Sequence, residues 1–235
     1  MRRRNRLLTL VGIISSLLST TFSSDKDTIK KDYSFMYKEN QYTLSLRLSQ
    51  SEFQYVRSIK LKCVKKENLG FYTLPNDGKE AIETINSSID KIIEADPSLT
   101  IEDFPKIVIR FVQSIEYKSD EETVGFADYT KDPYETLLEG GDCIDKSILA
   151  ASILGIRKYD VVLVRAVVSE KGKEEGHVAI GIGGNFDLRG FTFNHKDNTY
   201  HYVEPSGIDL EIGEMPFDKF SLMNTYDLPR IMYKS

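Results

Sequence analysis

The chain has no tryptophan, two cysteines (Cys63 and Cys143) and three histidines in 235 residues. Two cysteines cannot build the disulfide framework on which small secreted scaffolds rely, so stability must come from a packed core. At this length such a core is readily buried. The apolar run Leu7–Leu18 covers twelve residues, short of the ~20 needed to cross a bilayer. An excess of positive charge is also lacking. The net charge of −5 argues against a generic nucleic-acid or anionic-membrane binder. Basic residues cluster only at Arg2, Arg3, Arg4 and Arg6 and around Lys60–Lys66. No glycine-rich phosphate loop, internal repeat or low-complexity tract is present. His177, His195, His201 and Glu204 show no HExxH or HxxxH spacing, which weighs against a zinc-dependent hydrolase.

What is there begins with an address. A basic start, the short apolar run and the small polar stretch Ser19–Ser24 have the layout of an export signal. Residues 1–24 are therefore expected to be a signal peptide or N-terminal anchor, and the protein to be secreted or held at the outer face of the membrane. Membrane contact is expected only if that segment stays uncleaved. The charged residues 25–32 read as a linker, and 33–75 as a β-rich extension. Within it Tyr33, Phe35 and Tyr37 alternate, as do Tyr42, Leu44, Leu46 and Leu48, with a polar turn at Lys38–Gln41. That is a hairpin pattern. Residues 49–72 give no firm assignment. The break Pro75-Asn76-Asp77-Gly78 opens the main domain, 76–235.

In that domain Ile82, Ile85, Ile89, Ile92 and Ile93 form one helix face, and Ile107, Val108, Phe111, Val112 and Ile115 another. Asn86-Ser87-Ser88 is a glycosylation sequon by sequence, but it falls on the first helix. The organising stretch is Gly140-Gly141-Asp142-Cys143-Ile144-Asp145. Two glycines permit a tight turn, Asp142 suits an N-cap and Asp145 its capping-box partner. The apolar positions Ile148, Leu149, Ile153 and Ile156 continue as a buried helix. Cys143 then sits in the first turn, where free N–H groups and the helix dipole favour a thiolate. The competing reading is a small apolar filler, or a disulfide with Cys63. Val161–Val168 reads as a valine-rich strand. His177 opens another strand, with Val178, Ile180 and Ile182 on one side, and Tyr200–Glu204 ends a third in a carboxylate before Pro205. Nucleophile, base and orienting acid in the order Cys143, His177, Glu204 are the parts that covalent acyl transfer requires.

The segments FVQSIEY (111–117), DPYETLLEGGDCIDKSILAASIL (132–154), YDVVLV (159–164), GHVAIGI (176–182) and YHYVEPSG (200–207) resemble the transglutaminase-like superfamily of papain-type thiol enzymes. The likeness is greatest to its small archaeal and bacterial members and covers roughly 110–207. It implies an α+β fold with the nucleophile helix packed on an antiparallel sheet of about five strands, plus an N-terminal hairpin and helices. It implies a cysteine protease-like hydrolase or acyltransferase acting on peptide or glutamine amides through a Cys143–His177–Glu204 catalytic triad and a thioester. Glu204 would accept the Nδ1 proton of His177. The glutamate departs from the aspartate of many members.

By the same resemblance Gln113 is the candidate side-chain donor to the oxyanion. The indole donor of animal transglutaminases has no counterpart here, and Tyr117 or Tyr134 could replace it. No cofactor is implied, although the family leaves room for calcium at acids such as Asp142 and Asp145. The expected partner is a protein or peptide substrate, with no nucleic acid; no signal for an oligomeric state is present. The alternative is a catalytically silent exported binding module on the same fold.

Overall fold

The structure, a computed structural model, describes residues 27–60, 79–125, 127–184 and 189–228. The export segment and Cys63 lie outside these residues. The architecture is mixed α and β, and its sheets are antiparallel.

Strands β1 (Thr28–Tyr37) and β2 (Asn40–Ser49) form a two-stranded hairpin. Only Lys38 and Glu39 are left to turn, both at positive φ, which suits the twist of a two-residue hairpin loop. Strand pairing starts at Thr28, so most of the expected linker 25–32 is strand instead. Its charges occupy the solvated face: Lys30 pairs with Asp32, and Asp32 accepts from Ser45. The opposite face buries Tyr33, Phe35, Tyr37, Leu44, Leu46 and Leu48.

Helix α1 (Gln50–Lys60) follows directly, in the stretch left unassigned from sequence. Helix α2 (Lys79–Ala95) buries Ile82, Ile85 and Ile89, and a 3-10 turn at Ile101–Asp103 leads into α3 (Phe104–Gln113). The sequon asparagine Asn86 is buried and donates to Ile82 O and Ile153 O, so its amide is engaged in packing. A short α4 (Asp120–Thr123) and α5 (Pro133–Glu139) precede the central α6 (Cys143–Ile156). Strands β3 (Asp160–Glu170), β4 (Lys173–Gly183), β5 (Thr192–His195), β6 (Asn198–Val203) and β7 (Lys219–Asp227) then form one sheet in the order β5-β6-β4-β3-β7. β5 pairs with β6 at the far edge of the sheet, from Thr192 opposite His201 to His195 opposite Asn198. β7 was not anticipated: it is an edge strand, mostly exposed, without the alternation that marks a half-buried strand.

One apolar cluster runs from the hairpin (Phe35, Leu46) through α2, α3 and α6 to the inward face of the sheet (Leu163, Val178, Ile180, Ile182). The hairpin therefore shares the main core. α6 is buried all round, apolar at Ile148, Leu149, Ala150, Ala151, Ile153 and Leu154 and polar at Asp145, Lys146, Ser147 and Ser152. Helices of that kind lie inside a structure, and this one holds its first turns against the middle of β4. The strand begins at Lys173, so His177 sits within it rather than opening it, because pairing with β3 extends down to Glu170.

Candidate active site

Two glycines bring the chain into α6. Gly140 lies at φ 84°, and a side chain there would meet the Glu116 carbonyl at 2.6 Å. Gly141 leaves room for the Asp145 side chain and pairs with the 116–118 segment: its N–H donates to Glu116 O, and Lys118 N donates to Gly141 O. Asp142 then caps α6, accepting from Ile144 N at 2.9 Å and Asp145 N at 3.2 Å, while Asp145 reaches back to Asp142 N. The capping box read from sequence is present. Cys143, the first helical residue, carries a free, half-buried thiol.

Ser147, one turn along, donates to Val178 O at 3.0 Å. This bond clamps α6 to β4 next to His177. The imidazole of His177 feels the Cys143 side chain on one side and is hydrogen-bonded by Nε2 to Glu204 Oε2 at 2.6 Å on the other. The nitrogen left for the thiol is thus Nδ1, and the expected Nδ1–Glu204 bond is reversed. His177 is 7% exposed, and Phe217 packs edge-on against its ring at 4.9 Å. Glu204 is fully engaged. Oε2 also accepts from Tyr202 Oη at 2.6 Å, and Oε1 accepts from Ser206 N and Oγ. Burial pushes this carboxyl up, but the bonds from His177, Ser206 and Tyr202 outweigh it and hold it below its ordinary value. For His177, burial alone would lower the imidazole. Interaction with Cys143 and Glu204, and their negative charge, wins and pushes it up to about 10. Such a base stays protonated beside the sulfur at neutral pH.

Gln113 is not at this site. Its amide donates to Glu204 O and Leu210 O, both at 3.0 Å, and its carbonyl accepts from Arg110. Its two N–H groups are thereby committed to backbone, so the expected oxyanion role is not met; the residue instead fixes the loop that carries Glu204. Tyr134 is likewise distant, with its hydroxyl on the backbone of Ser49. Tyr117 does reach the site. It lines a cavity of about 370 Å³ together with Cys143, His177, Arg165 and Tyr226. Burial first, and the charge of Cys143 second, raise its hydroxyl above the ordinary value. Phe217, Tyr226 and Arg165 were missed from sequence, because the loop and edge strand carrying the first two have no motif and a lone arginine gives no signal.

His195 bonds Asp227 at 3.0 Å on the surface. The acids near Cys143 form a separate cluster in which carboxylate oxygens of Asp120, Asp142 and Asp145 lie within 4.8 Å of one another. A protein cation sits among them. Lys131, 0% exposed, donates from Nζ to Asp145 at 2.9 Å and Asp120 at 3.2 Å, and its backbone N–H also bonds Asp145. Burial lowers this ammonium, but Asp145 and Asp120 overcome that and hold it above its usual value. Calcium takes about six to eight oxygens at ~2.3–2.6 Å. Carboxylates already bonded to an ammonium and to backbone N–H groups fit that donor set poorly, so no step is assigned to calcium.

No protein-family model and no curated protein matches this chain.

Proposed function

We propose that this chain is a thiol-dependent acyl-transfer enzyme of the papain/transglutaminase-like kind, acting on peptide or glutamine amides. The observation that carries this reading is that Cys143, at the start of α6, and His177 line one cavity, with His177 Nε2 bonded to the buried Glu204 so that Nδ1 is the nitrogen left for the thiol. The Cys143 thiol passes its proton to Nδ1 of His177, giving a thiolate–imidazolium pair. The sulfur attacks the carbonyl carbon, and a tetrahedral oxyanion forms. Asp142 caps the N–H groups of Ile144 and Asp145. That leaves the N–H of Cys143, the first residue of the helix, as one donor to the oxyanion. The Tyr117 hydroxyl supplies the side-chain donor. As the carbon–nitrogen bond breaks, the imidazolium returns its proton to the departing amine. Water or a second amine then attacks the thioester, losing its proton to His177, and the thiol is regenerated. Glu204 holds the ring in place throughout and balances its charge.

The test uses both cysteines. Near pH 6, where a free thiol with pKa about 8.5 is almost wholly protonated, iodoacetamide should modify Cys143 much faster than Cys63. The sites are read by peptide mapping after brief exposure. His177→Ala should abolish most of the difference. Equal labelling, or selectivity untouched by that substitution, overturns the proposal in favour of an inert binding module.

A further inference from the structure

Besides His177, the cavity at Cys143 is lined by a second cation from the sheet, Arg165. Arg165 is exposed and lines it, and no carboxylate pairs with it among the described residues. Other arginines differ. Arg57 is held by Glu139, Arg110 by Asp209 and Glu211, and Arg157 by Asp90. Arg47 and Arg189 also lack a carboxylate among the described residues, but neither lines this cavity.

The position of Arg165 is built by the sheet. Arg165 pairs with Val178 across β3–β4, and its neighbour Ala166 pairs with His177. By strand alternation it shares a face with Val161 and Leu163, both in the core beneath α6. Where α6 begins, at Cys143, that face opens into the cavity. On the other side the β3–β7 register slips between Arg165 and Ala166, with Met223 as the extra residue. A bulge of this kind re-aims nearby side chains, and bulges are common beside active sites.

We propose that Arg165 binds a carboxylate of the acyl substrate, beside the carbonyl that Cys143 attacks. This rests on the reading of Cys143 as nucleophile. A guanidinium matches a carboxylate in bidentate fashion. The lining also includes the acids Asp120, Glu121, Asp128 and Asp142. A doubly charged phosphate would meet those acids with more repulsion than a singly charged carboxylate, which favours the latter. The carboxylate can come from an acidic side chain or from a chain end.

Three iodoacetyl amides separate these cases on the intact protein. One is made from glycine and carries a chain-end carboxylate. The second, from glutamate α-amide, carries a side-chain carboxylate, and the third, from glycinamide, is neutral. In each the Cys143 sulfur displaces iodide from carbon, and the rate is followed by mass spectrometry near pH 6 at low salt. At least one acidic reagent should react faster than the neutral one. Arg165→Gln should lower that advantage about tenfold, the equivalent of ~1.4 kcal/mol of charge attraction. Arg165→Lys should retain most of it, and the neutral reagent should be little affected by either. The favoured reagent names the source of the carboxylate. His177 is common to all variants, so its own pull on anions cancels. If the neutral reagent reacts with Cys143 no faster than with a free thiol, the proposed nucleophile fails. If it reacts fast but neither acidic reagent loses its advantage in Arg165→Gln, the role of Arg165 alone is overturned.

Discussion

At the scale of single residues, Glu204 has the most to do. Its four bonds leave it ionised inside the protein, where an unpaired charge would be costly. Glu204→Gln keeps the shape and removes the charge. It should lower the His177 imidazole toward its ordinary range and cut the rate of Cys143 alkylation near pH 6 by more than tenfold, as one lost pKa unit of pairing implies. Stability carries the same signature. His177 is raised from 6.5 to about 10, so its contribution is complete below 6.5 and is lost as pH rises through 10. Glu204 is held below 4.5, so its contribution is present above 4.5 and is lost on acidification. The pair should therefore stabilise most between 4.5 and 6.5. Urea unfolding should show the largest gap between wild type and Glu204→Gln near pH 5.5, shrinking toward pH 10. A gap independent of pH would mean that the pair is not ionised as described. Which ring nitrogen faces the thiol was not legible in the sequence, because it depends on where the 204–210 loop lies. That Cys143 would begin a helix capped by Asp142 was legible, because N-caps are local chemistry.

At the scale of elements, the loop after β6 is held by α3. Gln113 is 7% exposed and, together with Arg110, ties α3 to this loop. Periodicity marked it as off the apolar stripe of α3. That stripe says what the helix buries, whereas the destination of Gln113 is set by residues 91 and 97 positions away in the chain. Its stabilising role and the expected oxyanion role give opposite outcomes on substitution. Gln113→Leu strands two backbone carbonyls, and leaving a buried polar group unsatisfied costs about 1–3 kcal/mol. Thermal unfolding should fall by several degrees, and the alkylation of Cys143 should slow because Glu204 is no longer fixed. A lost oxyanion donor would instead leave both the melting temperature and alkylation intact, since displacement of iodide forms no oxyanion. The strands were read less evenly. β3 and β4 carry apolar runs that match their burial, whereas β7 is exposed along most of its length and offers no periodic signal.

At the scale of the whole molecule, the N-terminal hairpin and the site are one mechanical unit. The sequence divides at Pro75–Gly78 and suggests an appended extension, because chain breaks are visible locally and shared cores are not. The hairpin in fact completes the end of α5. Tyr33 Oη donates to Leu137 O and Lys31 Nζ to Leu138 O, both at 2.5 Å. These are last-turn carbonyls that the helix cannot satisfy itself. Two residues beyond Leu138 the chain makes the Gly140–Gly141 turn into Cys143. The inward face of the hairpin belongs to the same apolar cluster as Val178 and Ile180, beside His177. Unfolding should accordingly be a single transition. Near-UV dichroism, which here reports tyrosine and phenylalanine because the chain has no tryptophan, should coincide with far-UV dichroism and with loss of the fast alkylation of Cys143 near pH 6. Tyr33→Phe removes one bond and should cost about 1 kcal/mol. It should lower all three midpoints together, although residue 33 lies over a hundred positions from Cys143. A hairpin that melts first, with Cys143 still alkylated fast and the sheet signal unchanged, would show an independent extension, and the coupling argued from the shared core would be wrong.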